Sequence, residues 1–511
     1  MDANMFNKTS CLLLALVFSA GLNHAVYASS EEDFLNNEEN LDLSPNQLQS
    51  IPLLQSLKNL NTATEYQAPY VHELKNRYGV RSLFVESQDL PMVDIQLTFN
   101  AGAARDTEIA NGLGGLASMT ARLMSEGTEK YNATQIASVF EQTGARFSIQ
   151  AYRDMFVVHL RVLSDPKKRE PALNMLLEIL NNATFKNNSL SLAVSNNQAG
   201  QQQLKENPSR LMGIQFYRSV YGTHPYAEPI TGTNGSIKRI NPERLKQFRD
   251  KFLVAQNMNI AITGKLDTKE AQTRAEYISS HVPQGTKAGE LAQPLITDKF
   301  VIKHIPFQST QAHITFGHIG TTRNDPDRLA LEVANRMFGG GGFNSILMQE
   351  LRVKRGYTYG AYSSFSFSQA PGVFSFSYST RQDQLMDSIK VAHKAFAEFI
   401  RQPIDRKQLE DTKAGMLRAY PNNYSSNASI NAQLGLLGFY GQPADYLSQY
   451  PKLLASLTVK DIENALRKHL HADNMTIVIV SPTLDQDELQ GILDENLTST
   501  ASDNTRIKPK S

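Results

Sequence analysis

The chain has 511 residues, with 51 Lys and Arg against 50 Asp and Glu, and a single cysteine. This length is too great for one ordinary hydrophobic core, so we expect about two to four structural units. The net charge of +1 gives no bulk electrostatic reason to expect a nucleic acid or an acidic substrate. Cys11 lies in a segment that we expect to be removed, which excludes disulfides and thiolate ligands in the mature chain.

Residues 1–28 have the pattern of a secretory signal peptide. Lys8 precedes an apolar run at residues 11–18 that is too short to span a bilayer, and Val26 and Ala28 fit a cleavage site. We therefore predict a periplasmic or secreted chain without stable membrane insertion; a retained membrane anchor is the alternative. The acidic, Asn-rich stretch Glu31 to Asp42 predicts an extended arm over residues 29–66, and residues 498–511 predict a flexible tail.

Residues 113–128 predict an amphipathic helix. Ser118, Ala121 and Arg122 lie on the face opposite its apolar residues, at the i, i+3, i+4 spacing that projects from one side of a helix. In the inverted zinc motif His-x-x-Glu-His these positions hold a ligand, a general base and a second ligand. None of the three residues present can perform those tasks. The predicted core face consists of Leu113, Leu116, Ala117, Leu123 and Met124.

This helix resembles the zinc-binding helix of the pitrilysin family, which includes insulinase and the mitochondrial processing peptidase. Active members of the family carry Gly-Leu-Ala-His-x-x-Glu-His followed by an apolar stretch and Gly-Thr. The alternative interpretation is an ordinary core helix. The chain matches the family pattern at Gly115, Leu116, Ala117, Gly127 and Thr128.

The resemblance also implies a third zinc ligand, a glutamate on a later helix. The corresponding residues 192–208 contain no carboxylate before Glu206, which is next to the Asn-Pro that ends the stretch. Arg122 would repel a metal ion, and zinc needs about three protein ligands. We therefore predict no metal and no cofactor in this chain. His224, which precedes Pro225, is predicted to fix a turn and not to bind metal.

An internal repeat predicts the domain organisation. Thr98-Phe99 and Thr315-Phe316 are 217 positions apart, and so are Asn257-Met258 and Asn474-Met475. Two pairs with one offset indicate a duplicated domain, here residues 67–282 and 298–497, joined by a Pro- and Gly-rich linker at 283–297. Strands and helices mixed without a regular βαβ order predict an α+β fold of two homologous α/β sandwich domains.

Residues 338–362 contain four consecutive glycines, but no Gly-Lys-Ser/Thr follows them, so a phosphate-binding loop is excluded. The segment resembles the Gly-rich turn and the Leu-Arg-x-x-x-Gly-x-x-Tyr element of the pitrilysin family. The resemblance implies that Arg352 holds a substrate carbonyl, that Tyr359 donates to the oxyanion, and that the glycine run contributes to substrate binding. The alternative is a helix-end cation and a tyrosine kept for packing, which is our interpretation of Tyr357 and Tyr362. The predicted substrate-binding glycines are Gly340, Gly341 and Gly342.

These patterns together predict a catalytically inactive pitrilysin-like subunit that is not active alone. Its partner would be an active homologue with His-x-x-Glu-His that holds the zinc, and the pair would cleave an extended peptide. Two-chain members of the family divide the work in this way. A scaffolding homologue with no part in proteolysis is the alternative, and an autonomous zinc peptidase is a third possibility.

Overall fold

The computed structural model describes residues 68–297 and 299–503, with side chains as far as residue 498. The predicted signal peptide and the predicted arm lie outside the described residues, as does the end of the predicted tail. Among the described helices, none combines the length and the apolar composition that a transmembrane span requires.

The first half of the chain builds a six-stranded sheet with the order β1-β2-β6-β3-β5-β4. The central strand β6 runs parallel to β2 and antiparallel to β3, and all its residues except Asn259 are buried. A near-continuous apolar run is typical of a strand covered on both faces. The strands are β1 (His72–Leu74), β2 (Arg81–Glu86), β3 (Met92–Phe99), β4 (Arg146–Ala151), β5 (Phe156–Leu163) and β6 (Met258–Gly264).

Helices of the first half cover one face of this sheet and enclose the first core, in which Phe84, Leu97, Leu176 and Phe248 are fully buried. Side-chain caps fix several helix starts, because they satisfy N–H groups that the first turn leaves without partners. The helices are α1 (Leu116–Leu123), α2 (Ala133–Thr143), α3 (Pro166–Asn182), α4 (Asn187–Lys205), α5 (Pro208–Tyr221), α6 (Asn234–Ile237), α7 (Pro242–Phe252) and α8 (Thr268–His281).

The second half builds a five-stranded sheet with the order β7-β11-β8-β10-β9. Its strands are β7 (Val301–Pro306), β8 (Gln311–Ile319), β9 (Ala361–Phe365), β10 (Val373–Arg381) and β11 (Thr476–Ser481). Its helices are α9 (Arg328–Asn335), α10 (Leu385–Arg401), α11 (Arg406–Ala419), α12 (Asn427–Phe439), α13 (Tyr446–Ser456), α14 (Val459–His469) and α15 (Gln486–Asp503).

The two sheets share one topology, because β2-β6-β3-β5-β4 and β7-β11-β8-β10-β9 place corresponding strands in the same order. The repeated Thr-Phe pairs lie on β3 and β8, and the repeated Asn-Met pairs lie at the starts of β6 and β11. The predicted fold class, two homologous α/β sandwich domains, is confirmed. The domain and linker boundaries stay predictions.

One helix of each half packs on the sheet of the other half. α5 packs through Met212 and Phe216 on the second sheet, against Val478 and Val480 of β11. α12 packs through Leu434 and Leu437 on the first sheet, against Leu83 and Ala261. Each sheet therefore has helices of its own half on one face and a helix of the other half on the opposite face.

A buried polar cluster also joins the halves. The Tyr226 hydroxyl donates to the Asp154 carboxylate and accepts from the N–H of Ala370 at 3.2 Å. The N–H of Gln369 donates to the same carboxylate at 2.8 Å. Burial raises the pKa of Asp154. Residues 283–297 contain no helix or strand, and Arg105 of the first half donates to the carbonyl of Gly289 at 2.6 Å.

Candidate functional site

The start of α1 is fixed by a buried carboxylate. Asp106 accepts the N–H groups of Gly115, Leu116 and Ala117 at 2.7, 3.0 and 2.8 Å. Burial raises the pKa of Asp106 to about 8, although these three N–H groups lower it. Such contacts at a helix N-terminus compensate a buried carboxyl group.

The helix is shorter than the predicted 113–128. It ends at Leu123, and after one tight turn Gly127 takes a φ of 151°, which a side-chain-bearing residue rarely adopts. The predicted core face is confirmed, since Leu113, Leu116, Ala117, Leu123 and Met124 are all buried.

The three motif positions on α1 differ in their surroundings. Ser118 is half-buried, whereas Arg122 is exposed and makes no hydrogen bond or ion pair within the described residues. Ala121, predicted on the face opposite the core, is only 8% exposed and belongs to the first core. A methyl group and a guanidinium cannot ligate zinc, and no base stands where the family has its glutamate.

The stretch that would carry the third ligand lies on α4 and has a structural use. Asn197 and Gln201 donate from their side-chain amides to the carbonyls of Thr231 and Gly232 at 3.1 and 3.0 Å. These amides therefore hold the loop beside Gly115, where a Cβ atom would lie 2.9 Å from the Thr231 carbonyl oxygen.

His224 fixes a turn, as predicted from its sequence context. Its Nδ1 accepts the N–H of Tyr226 at 3.2 Å, and its Nε2 lies 2.8 Å from the Ala292 carbonyl oxygen. Burial lowers the pKa of His224, which keeps the ring neutral at pH 7.

In the described part of the chain, three groups that could ligate a metal meet at the start of α9: Asp325, Asp327 and His469. The Lys468 ammonium lies 2.6 Å from Asp327 Oδ2, and His469 Nε2 lies 2.9 Å from the same oxygen. Because these partners already compensate the carboxylate, this cluster is a local ion-pair network. It shares no residue with the family's ligand positions on α1.

Arg352 lies in a π-helical turn, Met348–Val353, and is held from two sides. Its Nη1 donates to the carbonyl oxygen of Tyr359 at 2.6 Å, and its guanidinium carbon lies 4.5 Å from the centre of the Phe343 ring. The structure thus joins Arg352 to the backbone of Tyr359. No hydrogen bond or ion pair in the described residues links either of them to Ser118 or Arg122.

The Tyr359 side chain is 85% exposed and precedes the edge strand β9. It borders a groove of about 720 Å³ between α5 and the second sheet, which we call the serine groove. Tyr362, interpreted from the sequence as a packing residue, is 56% exposed on the edge strand β9 and borders the same groove, so it does not pack in the core. Tyr357 is partly buried against the second core.

The glycine run ends one helical segment and precedes the next. α9 continues as a π-helical turn, Arg336–Gly340, and a Cβ on Gly341 would overlap the carbonyl oxygen of Arg336. Gly342 has a φ of 71°, so only glycine fits there without strain. Backbone geometry thus explains Gly341 and Gly342, and a Cβ on Gly340 would lie 2.7 Å from the Asn335 side-chain nitrogen. The predicted part of all three glycines in substrate binding stays a prediction.

The serine groove was not among the predicted sites, although the sequence contains a pattern for it. Ser375, Ser377 and Ser379 alternate with buried residues along β10 and therefore share one face. The two-residue period was visible in the sequence, but only the packing of α5 shows that this face borders a groove.

Comparison with known proteins decides the family. Residues 83–234 match the family model of insulinase, peptidase family M16, and residues 239–416 match that of the peptidase M16 inactive domain. The crystal structure of a peptidase M16 inactive domain from Pseudomonas fluorescens is 37% identical, covers 81% of this chain and 98% of that chain, and has a TM-score of 0.77. The chain belongs to the M16 peptidase family.

Curated M16 relatives are more distant in sequence. The non-peptidase homolog YmxG of Helicobacter pylori is 25% identical over 411 residues, covering 80% of this chain and 94% of that protein. An uncharacterized zinc protease of Rickettsia bellii is 24% identical over 432 residues, covering 83% and 96%. A solved protease structure from H. pylori, 15% identical with a TM-score of 0.70, shares the fold. The predicted pitrilysin-type resemblance is confirmed, and the chain is an inactive-type M16 homologue without the family's zinc ligands on α1.

Proposed function

We propose that this chain is the non-catalytic subunit of a two-chain M16 peptidase. A partner with an intact His-x-x-Glu-His motif would hold the zinc, and this chain would contribute Arg352 and Tyr359. The observation that carries the proposal is the geometry of this pair: the Arg352 guanidinium is held in place while the Tyr359 phenol is 85% exposed. Within the described residues this phenol makes no hydrogen bond, so its donor is available to a group from outside.

The chemistry follows from these two donors. A phenol can donate to the oxyanion that forms when water attacks a peptide carbonyl, and one such donor contributes roughly 3 kcal/mol of transition-state stabilisation. A guanidinium can orient the substrate carbonyl at the same time. The zinc of the partner would supply the activated water.

The edge strand β9 offers a place for the peptide. Among the described strands it pairs only with β10, so one row of its N–H and C=O groups is available to an added strand. Strand addition of this kind recognises the backbone of an extended peptide, and adjacent pockets select its side chains. We place the complex in the periplasm or outside the cell, and N-terminal sequencing of the exported chain would test cleavage near Ser29.

A scaffolding homologue is the second candidate. Arg352 already contacts Tyr359 and Phe343 within this chain, and these contacts could be its whole purpose. In that case the pair would stabilise the turn before β9 and take no part in cleavage.

Reconstitution separates the two candidates. The chain alone, and a zinc-binding M16 homologue from the same cell alone, are expected to show little peptidase activity, and the mixture is expected to cleave. Tyr359→Phe in the mixture should lower kcat at least tenfold with little change in KM, because the lost donor acts in the transition state. Tyr70→Phe is the matched control, since Tyr70 is a 76% exposed tyrosine of the first half, and it should change kcat less than twofold.

Cleavage that survives both Tyr359→Phe and Arg352→Ala unchanged would favour the scaffold. Stoichiometric zinc in the chain alone, lost on chelation together with peptidase activity, would refute both candidates.

A further inference from the structure

The serine groove has a sheet floor and a helical wall. Strands β8, β10 and β9 form the floor, and α5 of the first half forms the wall with Ser209, Phe216 and Tyr217. Of the lining residues, Tyr359 immediately precedes the edge strand β9 and Tyr362 lies on it. With a volume of about 720 Å³, the groove has room for several residues of an extended chain.

The floor is a ladder of hydroxyl groups. Ser377 of β10 lies opposite Thr315 of β8 on one side and Tyr362 of β9 on the other. Ser375 and Ser379 continue the row in both directions. A hydroxyl group can both donate and accept a hydrogen bond, so this floor can pair with peptide N–H groups, carbonyls and neutral polar side chains alike.

No lining residue within the described chain is Asp, Glu, Lys, Arg or His. Two ionisable groups in the described part of the molecule border the floor. His313 Nδ1 lies 2.8 Å from Ser379 Oγ and 3.3 Å from Ser209 Oγ, and Arg381 at the end of β10 is paired with Asp383. Burial lowers the pKa of His313, so this ring is neutral at pH 7. A charged ligand group that entered the groove would lose water without gaining a counter-charge.

Aromatic rings complete the walls. The groove lining includes four aromatic residues, which pack well against aromatic side chains: Phe216, Tyr217, Tyr359 and Tyr362. The groove therefore combines neutral hydrogen bonding with apolar contact, and its lining contains no charged side chain.

We propose that the serine groove binds an uncharged segment of the substrate peptide, rich in glycine, small polar and aromatic side chains, and rejects segments with a charged residue at its centre. This inference rests on the proposed function, because it names the peptide class that the two-chain peptidase accepts. The peptide would add to the edge of β9 and place alternate side chains over Tyr362 and the serine ladder.

Binding to the full chain without a partner tests the groove. Three fluorescein-labelled nonapeptides with the same Gly-, Ser- and Tyr-rich sequence carry Gln, Glu or Lys at the central position, and fluorescence anisotropy gives their Kd values. The Gln peptide is expected to bind at least tenfold more tightly than the other two. Equal affinities for the three peptides would overturn the proposal, as would binding of a neutral oligosaccharide such as maltoheptaose and of none of the peptides.

Charge placed in the floor should reverse the preference. Ser377→Asp is expected to make the Lys peptide the tightest ligand, and Ser377→Lys to make the Glu peptide the tightest. Ser191→Asp, on the exposed surface of α4, is the matched control and should leave the order unchanged. Circular dichroism establishes that each variant is folded, and an unchanged peptide order in a folded Ser377 variant would overturn the proposal.

The two proposals fail in different ways. Selective binding by the chain alone, with no cleavage restored by the partner, would keep the groove and refute the two-chain peptidase. Restored cleavage that depends on Tyr359, without a preference for uncharged peptides, would do the opposite.

Discussion

The two sheets of this protein share the order of five corresponding strands, but the polar side chains on one face are charged in the first sheet and largely uncharged in the second. On the first sheet, Asp94 of β3 is fully buried and pairs with Arg161 and His159 of β5. Position 311 of β8 corresponds to it by the 217-residue offset and is Gln311. The residue opposite Gln311 is Arg381, which turns away to pair with the exposed Asp383.

This difference shows which part of a duplicated domain is free to change. The apolar side chains of the strands are buried against the helices in both halves, and the corresponding strands keep the same order. The polar face is constrained only by what covers it. In the first half α12 covers a charged cluster, and Asn431 of α12 donates to the Asp94 carbonyl at 3.2 Å. In the second half the corresponding face lines the serine groove, where no lining residue is charged, and Arg381 at the end of β10 is paired with Asp383.

Removing Asp94 should have the largest effect. Arg161 Nε donates to Asp94 Oδ1 at 2.9 Å, so Asp94→Ala leaves a partly buried cation without its partner. We expect the free energy of unfolding, from urea denaturation, to fall by about 3 kcal/mol. Gln311→Ala is the matched control in the second half and should cost less than about 1 kcal/mol. Equal losses would show that the two faces do not differ energetically.

A second difference concerns pH. Ala101 of the first half corresponds to His318 of the second, whose Nδ1 lies 2.8 Å from the Ile319 carbonyl oxygen and whose Nε2 accepts the N–H of His471 at 3.2 Å. Burial lowers the pKa of His318 to about 4, and its ordinary value is 6.5. The unfolded chain therefore binds the proton first as pH falls, and stability is lost between pH 6.5 and 4.

We expect the His318 contribution to make the protein about 2 kcal/mol less stable at pH 5 than at pH 7.5. His318→Gln should flatten the profile by that amount, and urea denaturation at several pH values measures it. The neighbouring His471 and Asp473 are retained in both proteins, so the difference between the two profiles isolates His318. Parallel profiles for the two proteins would show that His318 does not titrate in this way.

The smallest effect on stability is expected for two helix caps that occupy equivalent positions in the two halves. Asn241 caps α7 through a bond from the N–H of Arg244 at 2.9 Å, and Thr458, 217 positions later, caps α14 through the N–H of Asp461 at 3.3 Å. Asn241→Ala and Thr458→Ala should each lower the midpoint of thermal unfolding through a loss of about 1 kcal/mol. A large loss for one cap alone would mean that the two helices are not equivalent in stability.

Local patterns predicted the buried face of α1, because periodicity follows from which residues a helix buries, and the 217-residue repeat matched corresponding strands of the two sheets. They overestimated the length of α1 at both ends. Its start depends on Asp106, which lies outside the helix, and its end depends on the turn that leads to Gly127. They also gave Tyr362 a packing role that its exposure does not support, because an aromatic residue on a strand does not reveal whether that strand is at an edge.

The sequence by itself determined the duplicated α+β frame, the resemblance to the M16 family and the absence of His-x-x-Glu-His at residues 118–122. These features depend on residue identity and spacing along the chain. Only the tertiary structure decided that α5 and α12 cross to the opposite halves, that Tyr359 is exposed, and that three serines border a groove. Each of these depends on contacts between residues far apart in sequence, such as Phe216 with Val478, whose free energy is gained only when the whole chain packs.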